Sequence, residues 1–287
     1  MLFRSALIQA GTARYDLPGV ATPFGFNHLI TYIPQFGQFV DSTAQYAPFG
    51  VLPAEDAART VVIVGSGQVA KAPPGTPPSV RTDIHVKVNP DGSADGDSVV
   101  TASGSWAIAY RALAASVPPD KEEEFFHHFM GPGASGHLDR GDPNKLLDPY
   151  QFSTHFHITS FANLPGPGAL PAQMGFKPFS FTELIGASLP DRRDSDYRCD
   201  SGQADEDVTV TLPGKVTPLS LPATRALKAD GVEYRQNYAK SGPHGLHGHI
   251  SVKLMHDAQV CTPAYYNKVH DDLAKMVRSL SAQVLYK

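Results

Sequence analysis

The chain has 287 residues, of which 41% are hydrophobic and 18% are charged, and this composition excludes an intrinsically disordered protein. The formal net charge is −4, so the sequence lacks the basic footprint of a nucleic-acid-binding protein and we predict no nucleic-acid partner. The 25 glycines and 25 prolines predict many turns between short elements, which favours a β-rich fold.

The N-terminal residues 1–11 form a short apolar segment that Arg4 interrupts. This segment is too short for a secretory signal peptide. We interpret it as a buried strand that pairs inside a larger sheet, and therefore expect further sequence upstream of Met1. No apolar run approaches the roughly 20 residues that cross a bilayer, so we predict no transmembrane segment.

Residues 26–33 and 36–44 are rich in aromatic and β-branched residues, and Pro34-Gln35 separates them. They predict an antiparallel hairpin. If the hairpin closes at Pro34-Gln35, His28 lies directly opposite Asp41, with Cβ atoms roughly 4.5–5.5 Å apart. A carboxylate there can hold an imidazole in one tautomer, as in nucleophilic triads. The alternative is a surface histidine and a strand-end aspartate in an ordinary hairpin, because a one-residue slip would separate their faces.

Residues 26–53 resemble the end of a bacterial transglutaminase-like core with papain-like Cys-His-Asp chemistry. The matching segments are Phe26-Asn27-His28 and the stretch 40–53, and the resemblance continues more diffusely through the rest of the chain. Proteins of this type are large and exported, with a domain of unknown function before the core and a β-rich domain after it. The resemblance implies that His28 is the catalytic base and Asp41 its orienting residue. It also implies a protein or peptide substrate and a periplasmic or otherwise exported location.

The chain departs from that family in its cysteines. The family's nucleophilic cysteine precedes the histidine, whereas this chain has only Cys199 and Cys261, both far downstream. We therefore predict a truncated transglutaminase-like cysteine acyltransferase or peptidase that is inactive alone and whose partner is the missing N-terminal segment of the same polypeptide. Ser42 directly follows Asp41 and so faces away from it on a strand, which makes a serine nucleophile a poor substitute. The alternative function is a non-catalytic β-rich module that binds a protein or cell-envelope partner.

The proline-rich segment 71–79 predicts an extended linker. We place the domain boundary there, with the C-terminal part of the transglutaminase-like core at residues 1–70 and a β-rich domain at residues 80–287. The predicted fold class is α+β and mainly β. Antiparallel strands from the back half of a papain-like core are followed by a β-rich domain with a C-terminal helix.

Local patterns predict several elements. The apolar run Thr60–Val64 predicts a buried strand. Apolar and polar residues alternate in Val80–Val88, which predicts a strand with Ser98–Ser105 as its partner. Residues 120–130 predict a helix with an acidic first turn. A last helix begins after the capping residue Thr262. Its apolar stripe, expected to pack on the sheet, consists of Val269, Leu273, Met276, Val277 and Leu280.

A predicted turn at 241–249, between strands at 232–238 and 249–254, contains His244, His247 and His249. These histidines could bind Zn²⁺ or Ni²⁺, but no carboxylate or cysteine nearby in sequence completes the ligand set. We predict no metal and no cofactor, and interpret the segment as a histidine-rich hairpin tip.

The two cysteines are far apart in sequence. The resemblance to exported proteins implies a disulfide between Cys199 and Cys261, which would close a long loop and stabilise the fold. Two free buried thiols are the alternative.

Overall fold

The structure is a computed structural model. It describes residues 2–287 except 12–14, 16, 18, 20–21, 76, 148, 175–180, 182–188, 200 and 257–259. The fold is mainly β, with several antiparallel sheets and a helix close to the C-terminus, as the sequence predicts. None of the described helices is both long and apolar enough to span a membrane.

An N-terminal sheet has five antiparallel strands in the order β3-β2-β1-β4-β5. The strands are β1 (Arg4–Ile8), β2 (His28–Ile33), β3 (Gln38–Val40), β4 (Thr60–Ile63) and β5 (Gln68–Lys71). The predicted N-terminal strand and the predicted strand at Thr60 are both confirmed. One face of this sheet is buried, because Ala6, Ile8, Ile30 and Val61 are fully inaccessible and pack with Phe39 and Leu52.

The hairpin of β2 and β3 differs from the predicted one in its register. Thr31 pairs with Val40 and Ile33 with Gln38, so the loop has four residues, 34–37, and the predicted closure at Pro34-Gln35 is wrong. Pro34 occupies the second position of a turn in which the Phe36 amide donates to the Ile33 carbonyl at 3.1 Å. Gly37 then takes a φ of +63°, a conformation that favours glycine. The register is displaced by two residues, which preserves the face of every side chain.

The opposite face of the N-terminal sheet carries an apolar row across four strands. Leu29 pairs with Leu7, Leu7 with Val62, and Val62 with Val69. Leu29 and Val69 are 47% and 56% exposed. This row is therefore an apolar surface on the side of the sheet that faces away from its core.

The main sheet has eight strands in the order β14-β15-β16-β12-β6-β7-β9-β8. Its strands are β6 (Ser79–Val88), β7 (Ala94–Ser103), β8 (Ala134–Asp139), β9 (Tyr150–Ile158), β12 (Gly202–Thr211), β14 (Arg225–Ala229), β15 (Val232–Lys240) and β16 (Gly245–Leu254). Among its described strands, β12 and β6 run parallel and every other adjacent pair is antiparallel.

Smaller sheets complete the fold. One has three strands in the order β10-β18-β13, and the other pairs β11 with β17. Their bounds are β10 (Gly168–Pro171), β11 (Tyr197–Arg198), β13 (Pro218–Ser220), β17 (Val260–Cys261) and β18 (Gln283–Tyr286). The disulfide between Cys199 and Cys261 lies beside the two-stranded sheet, where Tyr197 pairs with Cys261.

Described helices cover the main sheet: α1 (Ser105–Ser116), α2 (Glu122–Met130) and α3 (Pro263–Leu280). The predicted partner strand of Val80–Val88 is confirmed as β7, with different bounds. It runs from Ala94 to Ser103 instead of from Ser98 to Ser105, because α1 begins at Ser105. The predicted last helix is confirmed, with the Thr262 hydroxyl accepting from the Tyr265 amide at 3.2 Å. Four residues of its apolar stripe belong to the main core, namely Val269, Leu273, Met276 and Leu280, whereas Val277 is only partly buried.

The N-terminal sheet and the main sheet have separate hydrophobic clusters. Lys71, the first residue of the predicted linker, ends β5, and Ser79, the last, opens β6. Arg198 connects the disulfide region to the N-terminal part, because its guanidinium donates to the carbonyls of Gly11 and Ala54 at 3.0 and 2.7 Å. The division into two domains stays a proposal that these separate clusters support.

Candidate functional site

His28 is the first residue of β2, and its neighbour Asn27 holds this strand end in place. The Asn27 side chain donates to the Ala10 carbonyl at 2.9 Å and accepts from the Ala10 amide at 2.7 Å. The Asn27 amide also donates to the Ile8 carbonyl at 3.2 Å. These bonds extend the β1–β2 pairing by one residue. The backbone of His28 is therefore positioned from the β1 side, where its Cα partner is Ile8.

Asp41 immediately follows β3, and its carboxylate reaches the His28 ring. Nε2 of His28 lies 3.1 Å from Oδ2 of Asp41, with side chains 25% and 6% exposed. Because an ionised carboxylate only accepts hydrogen bonds, the Nε2 atom carries the proton. The Nδ1 atom of neutral His28 then keeps its lone pair, and no described residue bonds to it. The arrangement gives His28 the electronic form of a general base.

Thr43 holds the Asp41 carboxylate as an anion. Both the amide and the hydroxyl of Thr43 donate to Oδ1 at 2.8 Å. Burial acts to raise the pKa of Asp41, but the bonds from Thr43 and His28 outweigh it and leave that pKa below its ordinary value. Asp41 therefore stays charged at neutral pH and can stabilise a protonated His28.

A second carboxyl group, Asp56, completes the cluster and was missed by sequence reasoning. It is only 2% exposed and lies beside the Asp41 carboxylate. Burial, and after it the charge of Asp41, raises the pKa of Asp56 to about 6. A turn positions it, since the Asp56 amide donates to the Pro53 carbonyl at 3.1 Å. No local signal in the sequence distinguishes this aspartate from any turn residue.

The His28, Asp41 and Asp56 side chains each place a ligand atom within 4.8 Å of the others. One imidazole and two carboxylates could hold a divalent cation, which would compete with the proton that Asp56 takes up as the pH falls through about 6. Because burial and the charge of Asp41 raise the pKa of Asp56 to about 6, this pair of carboxyl groups takes up a proton in mildly acidic solution.

The chain itself supplies no thiol for this base. Both cysteines of the sequence, Cys199 and Cys261, are joined in the disulfide. Ser42 is exposed and makes no hydrogen bond with His28 or Asp41. Among the described residues, His28 and Asp41 are therefore joined by a hydrogen bond, and neither a free thiol nor Ser42 joins them.

The histidine-rich segment is organised differently from the predicted turn. Strand β16 begins at Gly245, so His247 and His249 are strand residues and the turn contains residues 241–244. His244 bonds through Nδ1 to the Val216 carbonyl. His247 and His249 share a face of β16, and both approach Oδ1 of Asp207 on β12, at 3.5 and 3.0 Å. This carboxylate is distant in sequence, which is why the sequence could not indicate it.

Comparisons with known proteins give few matches. No protein-family model matches the chain. No curated protein matches it either. Among solved structures, the chain is similar to a protein from Parabacteroides distasonis named "putative protease", with a TM-score of 0.47 and 10% sequence identity. The similarity covers 99% of this chain and 40% of that one, so this chain spans less than half the length of its structural neighbour.

Proposed function

We propose that His28 and Asp41 are the general base and its orienting carboxylate in a transglutaminase-like cysteine acyltransferase or peptidase. The nucleophilic cysteine would come from a segment of the polypeptide outside these 287 residues. The observation that carries the proposal is the 3.1 Å contact between Nε2 of His28 and Oδ2 of Asp41, which leaves Nδ1 as the basic atom.

In the proposed reaction, Nδ1 of His28 accepts the proton of the cysteine thiol, and the thiolate attacks a glutamine amide or a peptide carbonyl. The protonated His28 then returns this proton to the leaving amine. Asp41 stabilises the imidazolium through its charge and fixes the ring orientation. Asp56, which lies beside Asp41, acts in this proposal as a positioning residue for that carboxylate.

An exported location belongs to the same proposal. The disulfide between Cys199 and Cys261 supports it, because disulfides persist in oxidising compartments such as the periplasm. The substrate would be a protein or peptide, and no cofactor takes part in the proposed chemistry.

The decisive experiment uses a polypeptide extended upstream of Met1 in the same reading frame. Its release of ammonia from a glutamine peptide with a primary amine, and its peptide hydrolysis, would be measured. We expect His28→Ala to lower turnover by roughly 10²–10⁴-fold, the usual contribution of a general base. His85→Ala, at an exposed position of the main sheet, is the matched control and should leave turnover unchanged. Equal turnover in wild type and His28→Ala would refute the proposal.

The 287-residue chain permits a second test that does not need the nucleophile. ¹⁵N NMR of the histidine rings should find the Nε2–H tautomer for His28, with Nδ1 unprotonated in the neutral form. Asp41→Asn should change this tautomer distribution, whereas Asp194→Asn, at a 78% exposed carboxylate, should not. An Nδ1–H tautomer in the wild-type chain would contradict the assigned base.

A specific observation favours the binding module as a second candidate. The row Leu29–Leu7–Val62–Val69 presents apolar side chains on the outer face of the N-terminal sheet. Exposed apolar surface of this kind is typical of protein contacts. Under this candidate, Leu29→Lys would abolish capture of a protein partner while His28→Ala would not. The same variant pair therefore distinguishes the two functions.

A further inference from the structure

A histidine lies beside the disulfide bridge. The two sulfur atoms of Cys199 and Cys261 and a ring nitrogen of His256 all lie within 4.8 Å of one another. The three residues come from different segments: Cys199 follows β11, His256 follows β16, and Cys261 ends β17. Cys199 is 6% exposed and the other two are partly buried. We call Cys199, His256 and Cys261 the Cys2His cluster.

The backbone around the two cysteines is held by bonds other than the bridge itself. Strand β11 pairs with β17, with Tyr197 opposite Cys261 and Arg198 opposite Val260. The Arg198 guanidinium also donates to two backbone carbonyls of the N-terminal part. The Cα atoms of Cys199 and Cys261 are 5.7 Å apart. The strand pairing therefore keeps the two cysteines close together when the sulfur–sulfur bond is broken.

His256 is also positioned independently of the bridge. Its amide donates to the Ser201 hydroxyl oxygen at 2.9 Å, and that hydroxyl donates to the His256 carbonyl at 3.4 Å. Its ring meets the Tyr265 ring edge-on, with centroids 5.4 Å apart. The Tyr265 hydroxyl in turn donates to the Asp230 carbonyl at 2.8 Å. These contacts hold the imidazole beside the sulfur atoms without using them.

Reduction of the bridge would turn the Cys2His cluster into a set of metal ligands. A phosphine gives two electrons to the sulfur–sulfur bond and becomes its oxide with oxygen from water, while each sulfur takes one proton of that water. A thiol reductant gives the same two protein thiols and itself becomes a disulfide. Two thiolates and one imidazole are ligands that Zn²⁺ prefers.

The spacing of the three residues suits a tetrahedral ion. Zn–S bonds of about 2.3 Å and Zn–N bonds of about 2.0–2.1 Å place neighbouring ligand atoms about 3.5–3.8 Å apart. The ring nitrogen already lies within 4.8 Å of both sulfurs. The released sulfurs can separate to this distance by rotation about their Cα–Cβ bonds.

We propose that the reduced Cys2His cluster binds one Zn²⁺ through the two sulfur atoms and the His256 ring, with water in the fourth position. Binding displaces the two thiol protons into solvent. Two thiolates balance the charge of the ion, so the buried position of Cys199 does not oppose binding as it would oppose an isolated charge. The ion and the disulfide are then alternative ways of closing the same 62-residue separation.

Thiolate sulfur makes the expected binding selective. Soft sulfur ligands favour Zn²⁺, whereas Mg²⁺ and Ca²⁺ prefer oxygen. The cluster of His28, Asp41 and Asp56 offers carboxylate oxygens in place of sulfur. The two clusters therefore differ in the ions that they favour, and Mg²⁺ is the control ion for this site.

The experiment compares the oxidised 287-residue chain with the same chain reduced by a phosphine, each titrated with Zn²⁺ at neutral pH in competition with a chromogenic chelator. We expect one ion per reduced chain, and at least 100-fold weaker binding by the oxidised chain and by Cys199→Ser/Cys261→Ser. His256→Ala should weaken binding by more than about 100-fold, because losing a ligand costs more than the roughly 10–100-fold lost with a group behind one. The matched control, His247→Ala, removes an exposed histidine of the adjoining strand β16 and should retain affinity within 2-fold.

Co²⁺ reports the ligands directly. The reduced wild-type chain should show thiolate-to-metal charge-transfer absorption in the near ultraviolet and tetrahedral d–d absorption in the visible range, and Mg²⁺ should not displace the Co²⁺. If the reduced chain loses structure, Zn²⁺ should restore the wild-type circular dichroism of His247→Ala but not that of His256→Ala. Equal Zn²⁺ affinity of the oxidised and reduced chains, or equal weakening by His256→Ala and His247→Ala, would overturn the proposal.

Discussion

Nε2 of His28 contacts Oδ2 of Asp41 at 3.1 Å although the two residues are not cross-strand partners. Thr31 pairs with Val40, so continuing the ladder would place Asp41 opposite Ile30 and diagonal to His28. Diagonal neighbours share a face and are separated by a distance that long side chains span. The contact therefore survives a register two residues away from the predicted one, because the displacement preserves the faces.

The first prediction concerns Asp56 and pH. Its pKa is raised from 3.8 to about 6 in the folded protein, chiefly by burial, so the folded state binds a proton that the unfolded state has released. The resulting stabilisation is fully present below pH 3.8 and is lost as the pH rises through 6. We expect the wild-type free energy of unfolding to fall by up to about 3 kcal/mol over this range from this group alone.

Urea unfolding of wild type and Asp56→Asn between pH 3.5 and 7.5 measures this effect. Asparagine does not titrate, so the difference in unfolding free energy between the two proteins should depend on pH with the stated sign. Asp194→Asn, at a 78% exposed site, is the control, and its unfolding free energy should depend on pH as that of wild type does. A constant difference between wild type and Asp56→Asn would contradict the assigned protonation.

The second prediction concerns Glu122, where the sign is reversed. Burial acts to raise its pKa, but bonds from His137 and Arg140 outweigh burial and lower it. Its stabilisation is therefore present above the ordinary value of 4.5 and is lost as the pH falls. We expect Glu122→Gln to destabilise the fold by about 1–3 kcal/mol at pH 7, and by less in acid.

Chemical denaturation at pH 7 and pH 4 tests the Glu122 prediction. Glu123→Gln is the matched control because Glu123 is the adjacent helix residue and its side chain is 78% exposed. The control should change the unfolding free energy by no more than about 0.5 kcal/mol. An equal effect of the two substitutions would show that the bonds of Glu122 to His137 and Arg140 do not contribute to the free energy of unfolding.

The third prediction concerns the disulfide. Cys199 and Cys261 are 62 residues apart, and closing a loop of that length restricts the unfolded chain. The chain-entropy model gives a stabilisation of about 4 kcal/mol. Thermal unfolding should therefore show a clear loss of stability in Cys199→Ala/Cys261→Ala and in reduced wild type, with little further change when the variant is reduced. An unchanged melting temperature in reduced wild type would refute the role of the bridge.

The fourth prediction concerns the last helix. Met276 of α3 is 1% exposed and belongs to the main core, so Met276→Ala should leave a cavity and destabilise the fold by about 2–5 kcal/mol. Lys275→Ala, whose parent side chain is 62% exposed, changes the neighbouring surface and should have an effect within about 0.5 kcal/mol. Equal destabilisation by the two variants would mean that α3 does not pack as the structure has it.

Sequence reasoning succeeded where the signal was local. The alternation of Val80–Val88 predicted β6, and the structure shows the alternating burial that such a strand requires. The cap at Thr262 and the three- and four-residue spacing of apolar residues predicted α3. In each case neighbours along the chain determine both the conformation and the buried face. The hairpin loop was not predicted correctly. It extends through Gly37, which has a positive φ, so that β3 begins at Gln38.

The sequence by itself determined the mainly β character of this protein and its last helix, because these follow from periodicity along single strands and helices. Only the tertiary structure decided that Asp56 joins His28 and Asp41, that Asp207 lies beside His247 and His249, and that His137 meets His155. Those contacts join segments distant in sequence. Strand order and register create them, and both depend on the packing of the whole chain rather than on any local pattern.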